Sequence, residues 1–251
     1  MNGPRMGGDP RTVAREISGV FETIFPHLIP RVVTYINRIS VTIPAFETID
    51  HKLLSESSLQ KSMLFEIASG VAESSLVAGC LPSWDVLLLN AVAKQRLHYD
   101  AEIPLILAEG DKVVAKVTGE NLVRGLASLA GSKSLPLSDV VIAPKIPGYG
   151  WISSGVGDFA VGDCLVEVKC SAKNFSSADY RQVLMYWLMS YLYAIETNST
   201  EWKSCVLINP RVNKMVEVDF DELVRLVSPG GSKLQLVEKF RALIEVGLSK
   251  F

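Results

Sequence analysis

The sequence predicts an α/β fold in which a mixed β-sheet is flanked by helices, with a mainly helical elaboration at the N-terminus. Three observations lead to this prediction. The first half of the chain carries helical patterns, whereas the second half alternates short apolar strands with helices. The run 157–169 has the pattern of a tight hairpin. A chain of 251 residues, 48% of them apolar, can also bury a large core.

The N-terminal region is expected to be helical after a short tail. Residues 1–10 contain Gly and Pro but no apolar segment, so we expect a flexible tail. Residues 11–25 are a candidate amphipathic helix. The segments 59–79 and 82–99 predict two long helices, separated at the Leu81-Pro82 break.

A further helix is predicted over 118–131, with Thr118 as its N-cap and Gly131 as its stop. We therefore divide the chain into a helical N-terminal region at 11–117 and a core with C-terminal helices at 118–251. The two regions can equally form one continuous domain.

The core is predicted to alternate strands and helices. A first strand is expected at 140–143, and two later strands at 205–208 and 215–218 are joined by a turn. Between the hairpin and these strands, a helix begins near Ser176 or Ser177 and runs to about Ile195. Serine is a good N-cap residue.

The hairpin carries the most informative charges in the chain. Gly162-Asp163 suits a type II′ turn, and counting outwards from this turn places Asp158 opposite Glu167. Because side chains alternate along a strand, Asp158, Glu167 and Lys169 share one face and the other face is wholly apolar. Two facing carboxylates repel each other by up to about 1 kcal/mol. A divalent cation between them is the simplest compensation.

These residues resemble the active-site hairpin of the PD-(D/E)XK nuclease superfamily. Asp158 matches the first acid, and Glu167-Val168-Lys169 matches the acidic-x-Lys triplet. Gln182 and Tyr186, four residues apart on one helical face, match the Gln-x-x-x-Tyr signature of the RecB-like branch. The resemblance covers roughly residues 138–220 and implies a restriction-endonuclease-like core. Without the hairpin, the simpler interpretation of Tyr186 is a core aromatic; after the hairpin, the signature is favoured.

The resemblance implies a metal-dependent nuclease that hydrolyses phosphodiester bonds. Asp158, Glu167 and the backbone carbonyl of Val168 would bind Mg²⁺ or Mn²⁺. Lys169 would orient the attacking water or stabilise the transition state. Gln182 and Tyr186, also assigned as catalytic, would position the water or the substrate strand.

A helix before the sheet contributes a further carboxylate in many members of this superfamily. Glu66 is our candidate for such a metal ligand, because an acid flanked by apolar residues is costly unless it is paired. Glu73 is a second candidate from the same helix. The alternative is that each is a partly exposed helix acid.

Three residues are candidates for contact with nucleic acid. Lys173 and Arg181 lie close to the hairpin and to the helix start, where they could contact phosphate or simply be surface charges. Trp151 lies in the Gly-rich loop 147–157 before the hairpin and could stack on a base or fill the edge of the sheet.

The net charge of −2, with no basic run, is unusual for a protein that holds a long duplex alone. We therefore expect nucleic acid, most simply DNA, as substrate, with a protein partner or a homo-oligomer to help deliver it. The resemblance suggests an effector or accessory subunit of a restriction, phage-defence or repair system. The alternative is a catalytically inactive nuclease fold that serves as a binding or assembly module.

Composition also bears on location. No apolar run reaches the roughly 18 residues needed to cross a bilayer, so no membrane partner is expected. The four cysteines have no spacing suited to zinc, and Cys164 and Cys170 fall on the apolar face of the hairpin. We expect a cytoplasmic protein with reduced cysteines.

Overall fold

A computed structural model describes residues 8–16, 19–57, 59–95 and 104–248, without the side chains of 16, 20 and 246–248. Within these residues the helices are α1 (Pro10–Glu16), α2 (Val20–Ile24), α3 (Pro30–Asn37), α4 (His51–Glu56), α5 (Lys61–Ala78), α6 (Trp84–Gln95), α7 (Glu109–Ser132), α8 (Ser177–Thr197), α9 (Phe220–Val227) and α10 (Lys233–Leu248). The strands are β1 (Val140–Ile142), β2 (Lys145–Ile146), β3 (Gly155–Val156), β4 (Phe159–Val161), β5 (Cys164–Val168), β6 (Ser204–Asn209) and β7 (Lys214–Asp219).

Five of the strands form one mixed sheet in the order β1-β4-β5-β6-β7. Strands β5 and β6 are parallel, and the other neighbours are antiparallel. Parallel neighbours require a crossover connection, and α8 supplies it. Strands β2 and β3 pair separately. The predicted α/β fold, a mixed sheet flanked by helices, is confirmed.

Alternating side chains give the sheet two buried faces. Leu165, Leu207 and Val216 pack with α8 and the C-terminal helices. Val166 and Val206, the neighbours of these residues along the strands, pack instead against α7. Both faces are apolar and covered, which explains why these strands read as nearly continuous apolar runs.

The hairpin adopts the predicted register. Its pairs are Phe159 with Val166, Ala160 with Leu165, and Val161 with Cys164. Gly162 has a φ of 58°, whereas Asp163 is not among the residues with positive φ. A positive φ at the first central position alone is the requirement of a type II′ turn.

Helix α8 begins where the sequence predicts. Ser176 is the N-cap, and its hydroxyl accepts from the N–H of Asp179 while the Asp179 carboxylate reaches back to the N–H of Ser176. This reciprocal capping satisfies two of the free N–H groups at the start of the helix. It also fixes the Asp179 carboxylate close to the end of β5.

The predicted start of the helix before the sheet is wrong. Helix α7 begins at Glu109, not Thr118, and has Glu109 and Asp111 in its first turn. The Thr118 hydroxyl is buried and donates to the carbonyl of Val114, a bond that a threonine can make inside a helix. The boundary predicted between residues 117 and 118 therefore falls inside one continuous helix.

The helical layer packs directly on this helix. Helices α5, α6 and α7 share an apolar cluster, and α7 also covers one face of the sheet. At Gly119, a Cβ would lie only 2.6 Å from the carbonyl oxygen of Ala68, so α5 and α7 approach closely. The start of α5 lies near the strand ends that carry the hairpin acids.

The predicted N-terminal tail is partly wrong. Residues 1–7 lie outside the described residues, but Gly8 forms a bridge with Ile152 and α1 starts at Pro10. Val13 and Ala14 are buried in the cluster that contains α8. The segment 8–16 is thus built into the core next to α8.

Three other helical predictions are confirmed, two of them in part. The segment 11–25 forms α1 and α2, with residues 17 and 18 outside the described residues. The helix expected at 82–99 is α6, and its predicted last turn at 96–99 also lies outside. The helix expected at 59–79 is α5, which ends at Gly79 in the left-handed conformation.

No helix in the described parts of the chain combines the length and apolar composition that crossing a bilayer requires.

Candidate active site

A cavity of about 480 Å³ opens at the end of β5, between α1, α5 and the start of α8. Its charged lining is balanced, with four basic and four acidic side chains. They are Arg11, Arg15, Lys61, Lys169, Glu66, Asp158, Glu167 and Asp179. The elements that carry them are far apart in the sequence, so the cavity exists only in the folded chain.

Glu167 lies at the centre of this charged group and is almost fully buried, with 1% of its side chain exposed. Its Oε1 accepts from Lys169 Nζ at 2.8 Å and from Gln182 Nε2 at 2.5 Å. Its Oε2 is buried and has no hydrogen-bond partner within the described part of the chain. An unsatisfied buried carboxylate oxygen is costly, and a bound cation is one way to satisfy it.

Asp158 lies just outside β4, one residue before Phe159. The strand ladder ends at Phe159 and Val166, so the expected strand pairing of Asp158 with Glu167 is not formed. Instead, Asp158 Oδ2 accepts from the backbone N–H of Val168 at 2.7 Å. The two carboxylates still converge, because Asp158 Oδ1 and Glu167 Oε1 each lie 3.8 Å from Nη2 of Arg11.

The backbone N–H and carbonyl of Val168 point towards the side of β5 on which the Asp158 carboxylate lies. The N–H of Lys169 donates to Ile208 on β6 at 2.8 Å, so the N–H and carbonyl of Val168 point to the opposite edge of the strand. Val168 lines the cavity there. Its carbonyl is therefore on the side of the strand that carries the Asp158 carboxylate.

Lys169 contacts two acidic side chains, Glu167 at the end of β5 and Asp179 at the start of α8. In addition to Glu167, its Nζ donates to Gln182 Oε1 at 3.1 Å and lies 3.7 Å from Asp179 Oδ1. The side chain is 15% exposed, and it lines the cavity. The ammonium is thus held in one place while one side remains accessible from the cavity.

Gln182 and Tyr186 lie beneath the cavity and do not line it. Gln182 is fully buried, with its amide bonded to Glu167, to Lys169 and to the Tyr186 hydroxyl at 3.1 Å. The Tyr186 ring is buried too, and the Arg11 guanidinium lies close enough to its hydroxyl to interact with it electrostatically. The pair shares one face of α8, as predicted, and supports the charged groups from below.

Electrostatics separate the Asp158 carboxylate from ordinary surface acids. Burial, followed by the negative charge of Glu167, raises the pKa of Asp158 to about 7, although Lys169, Arg11 and the Val168 N–H act in the opposite direction. Burial also raises the pKa of Tyr186 to about 12, so this phenol stays protonated at neutral pH.

The raised pKa of Asp158 predicts a pH dependence of stability in the metal-free protein. A carboxyl whose pKa rises from 3.8 to about 7 on folding holds its proton more tightly in the folded state. The free energy of unfolding should then fall as pH rises from about 4 to about 7.

Asp158→Asn keeps an oxygen for the Val168 N–H but cannot ionise, so it should lack this decline. Urea unfolding at several pH values, with a chelator present, measures the difference. Parallel curves for both proteins would show that the pKa is not raised.

The predicted helix carboxylate reaches the cavity but not the other acids. Glu66 lines the cavity wall, with Oε2 3.3 Å from Lys94 Nζ and Oε1 bonded to Gln95. Glu73 also pairs with Lys94, at 3.5 Å. Lys94 thus pairs with both carboxylates, and this ion pair, rather than a metal ion, offsets the cost of placing Glu66 among apolar residues.

The three candidates for contact with nucleic acid do not line the cavity. Trp151 packs against the core that contains α8, and its backbone carbonyl accepts from Gly8, which favours the edge-filling interpretation. Arg181 pairs with Glu22 at 3.0 Å. Lys173 is exposed, and its backbone bonds to the Ser171 hydroxyl.

Sequence reasoning missed four of the eight charged residues that line the cavity: Arg11, Arg15, Lys61 and Asp179. Arg15 pairs with Asp179 at 3.0 Å, and both arginines lie on one face of α1. Asp179 could have been found, because it precedes Gln182 by three residues on the face that carries Tyr186. Nothing local indicates that α1 packs on α8, about 160 residues later.

The arrangement fits a magnesium-like ion better than zinc. Within the described residues, no set of three or more His, Cys, Asp or Glu side chains is grouped closely enough to hold a metal ion. Mg²⁺, however, is commonly held by one or two carboxylates together with waters and substrate phosphates. Asp158, the unsatisfied Oε2 of Glu167 and the Val168 carbonyl supply only oxygen donors, which are the ligands that this ion prefers.

Comparisons with known proteins add no relative: no family model matches the chain, and neither a curated protein nor a solved structure does. Any functional conclusion therefore rests on the residues and geometry described above.

Proposed function

We propose that this chain is a divalent-metal-dependent nuclease with a restriction-endonuclease-like core of the RecB-like kind. It hydrolyses phosphodiester bonds of nucleic acid, with Mg²⁺ or Mn²⁺ as cofactor. The observation that carries the proposal is the unsatisfied, buried Oε2 of Glu167, beside Asp158 and an ammonium bonded to the same carboxylate. These are the groups of the motif on which the resemblance rests.

The side chains of the site have distinct roles in this proposal. Asp158, Glu167 and the Val168 carbonyl would hold the cation, which supplies neutralisation of phosphoryl charge and activation of a water nucleophile. Lys169 holds a positive charge at the cavity wall, where it stabilises charge that develops on the phosphoryl oxygens. Gln182 orients both Glu167 and Lys169 through its amide. Such support from below keeps reactive groups in position.

In this proposal, the cavity supplies the cationic side chains with which a chain of net charge −2 would contact nucleic acid. Arg11, Arg15, Lys61 and Lys169 line it, although they are scattered along the sequence. Four acidic side chains balance these cations in the metal-free cavity, so their attraction for phosphate would become effective once a divalent cation neutralises the carboxylates. The limited size of this group favours a partner, or a second copy, that helps to deliver DNA, as in an effector or accessory subunit of a restriction, phage-defence or repair system.

One observation favours the alternative of an inactive binding or assembly module. The guanidinium of Arg11 already lies between Asp158 and Glu167, where it compensates their charge without a metal ion. In this second candidate, the arginine is a permanent replacement for the cation.

A cleavage assay tests the proposal against this alternative. The full chain is incubated with linear and circular, single- and double-stranded DNA and with RNA, in Mn²⁺, Mg²⁺ or a chelator. We expect cleavage of at least one substrate with the metal ions and none with the chelator. Absence of cleavage, together with absence of Mn²⁺ binding by calorimetry, would favour the inactive module.

A further inference from the structure

The guanidinium of Arg11 lies beside the two carboxylates that a metal ion would also bind. Nη2 lies 3.8 Å from an oxygen of Asp158 and 3.8 Å from an oxygen of Glu167. Burial opposes the charge of Arg11, yet Glu167, Tyr186 and Asp158 together hold its pKa above the ordinary value. Arginine has donors but no acceptor, so it can balance the carboxylates but cannot serve as a metal ligand.

We infer that Arg11 is an exchangeable counter-ion of the Asp158–Glu167 pair: it holds both carboxylates in the metal-free protein and competes with the divalent cation for them. The inference rests on the proposed function, because it concerns the same metal site. It makes Arg11 a positioning residue, which sets how tightly the site binds its cation.

The packing of α1 shows which part moves in such an exchange. Val13 and Ala14 anchor the helix in the core, and Gly8 is bonded to the backbone of Trp151 and Ser153. The Arg11 side chain, in contrast, is 41% exposed and lines the cavity. A long, partly exposed side chain of this kind can swing away from the two carboxylates, within the open cavity, while α1 stays in place.

The signs of the charges predict in which direction the metal affinity changes when Arg11 is removed. A divalent cation between the carboxylates and a guanidinium only a few ångströms away repel each other, so each lowers the affinity of the site for the other. Removing the guanidinium leaves the carboxylates more negative and the site open. The metal affinity should then rise, although the metal-free protein loses a stabilising ion pair.

Arg15 provides a matched control on the same helix. It lies one turn after Arg11, lines the same cavity and is similarly exposed, but it pairs with Asp179 at 3.0 Å. A change that reduces only the general positive charge of the cavity would affect the two arginine variants equally. Direct competition between the guanidinium and the metal ion for the carboxylate pair would change the metal affinity of the Arg11 variant alone.

The test is calorimetric titration of Mn²⁺ into the full chain at pH 8, for wild type, Arg11→Gln, Arg15→Gln and Glu167→Gln. We expect Arg11→Gln to bind Mn²⁺ about tenfold more tightly than wild type, and Arg15→Gln to stay within about threefold of it. In thermal unfolding, Arg11→Gln should be less stable than wild type with a chelator, and the difference should shrink with Mn²⁺. Circular dichroism verifies that each variant is folded.

The possible outcomes separate the inference from the proposed function. Wild type that binds Mn²⁺, with equal or weaker binding by Arg11→Gln, overturns the inference and leaves the nuclease proposal intact. Binding by Arg11→Gln but not by wild type supports the competition and counts against an active wild-type enzyme. Absence of binding in both proteins overturns both.

Discussion

Glu167→Gln is expected to reduce metal-dependent cleavage on the order of a thousandfold or more, equivalent to about 4 kcal/mol of transition-state stabilisation. The substitution keeps the size and most of the hydrogen-bonding geometry of the side chain. It removes the negative charge and replaces one carboxylate oxygen with an amide nitrogen, which cannot bind a cation. The loss should appear in the metal affinity as well as in the rate, because Glu167 provides the most deeply buried oxygen donors of the site.

The matched control for this variant is Glu217→Gln. Glu217 lies on β7 of the same sheet, is 44% exposed and pairs with Lys133, and it does not line the cavity. The two variants therefore lose the same charge from the same sheet at different places. We expect the control to cleave at the wild-type rate. A Glu167→Gln protein that retains full cleavage would overturn the nuclease assignment.

The measurement is a single-turnover cleavage assay with Mn²⁺, joined to calorimetric titration of the same ion. Loss of both rate and binding identifies Glu167 as a metal-binding residue. Loss of rate alone would contradict that role, because it would place the effect after metal binding. Far-UV circular dichroism establishes that each variant keeps the fold.

Local chemistry explains which parts of the site the sequence could predict. The hairpin register follows from Gly162, whose φ of 58° permits the tight turn, and from the period of two along a strand. The alignment of Gln182 and Tyr186 follows from the helical period, and the start of α8 follows from the Ser176 cap. Each of these features is encoded within a few residues.

Features that depend on packing between distant segments escaped prediction. Asp158 was expected in the strand, but the ladder stops one residue earlier and its carboxylate bonds to the backbone of Val168 instead. The arginines of α1 reach the site only because Val13 and Ala14 pack against α8. Amphipathicity indicates that a helix buries one face, but not which surface receives it.

The error at the start of α7 has a different physical cause. Thr118 has the residue type of an N-cap, yet a threonine hydroxyl can also bond to the carbonyl four residues earlier inside a helix, as it does here with Val114. The real start carries acidic residues in its first turn, Glu109 and Asp111, which suit the positive end of the helix dipole. Local capping chemistry therefore allowed two starts, and the helix uses the earlier one, with Thr118 fully buried in its interior turns.

Lys169→Met should separate metal binding from the chemical step. Methionine has a length similar to that of lysine and can fill the same space, but it carries no charge. We expect cleavage to fall on the order of a hundredfold to a thousandfold, because the ammonium stabilises charge that is present only in the transition state. Calorimetry should show Mn²⁺ affinity equal to or higher than that of wild type, since the variant keeps Asp158 and Glu167 and loses a nearby positive charge.

The matched control is Lys203→Met, which removes a lysine that lies one residue before β6 of the same sheet. Lys203 is 72% exposed, pairs with Asp163 at the tip of the hairpin and does not line the cavity. It should cleave at the wild-type rate. Together with Glu167→Gln, the Lys169 variant then distinguishes two kinds of loss: Glu167→Gln loses rate and binding, whereas Lys169→Met loses rate alone. A Lys169→Met protein that cleaves normally would contradict a catalytic ammonium and limit Lys169 to compensating the buried charge of Glu167. One that also loses Mn²⁺ binding would instead show that Lys169 is needed to hold Glu167 in its metal-binding position.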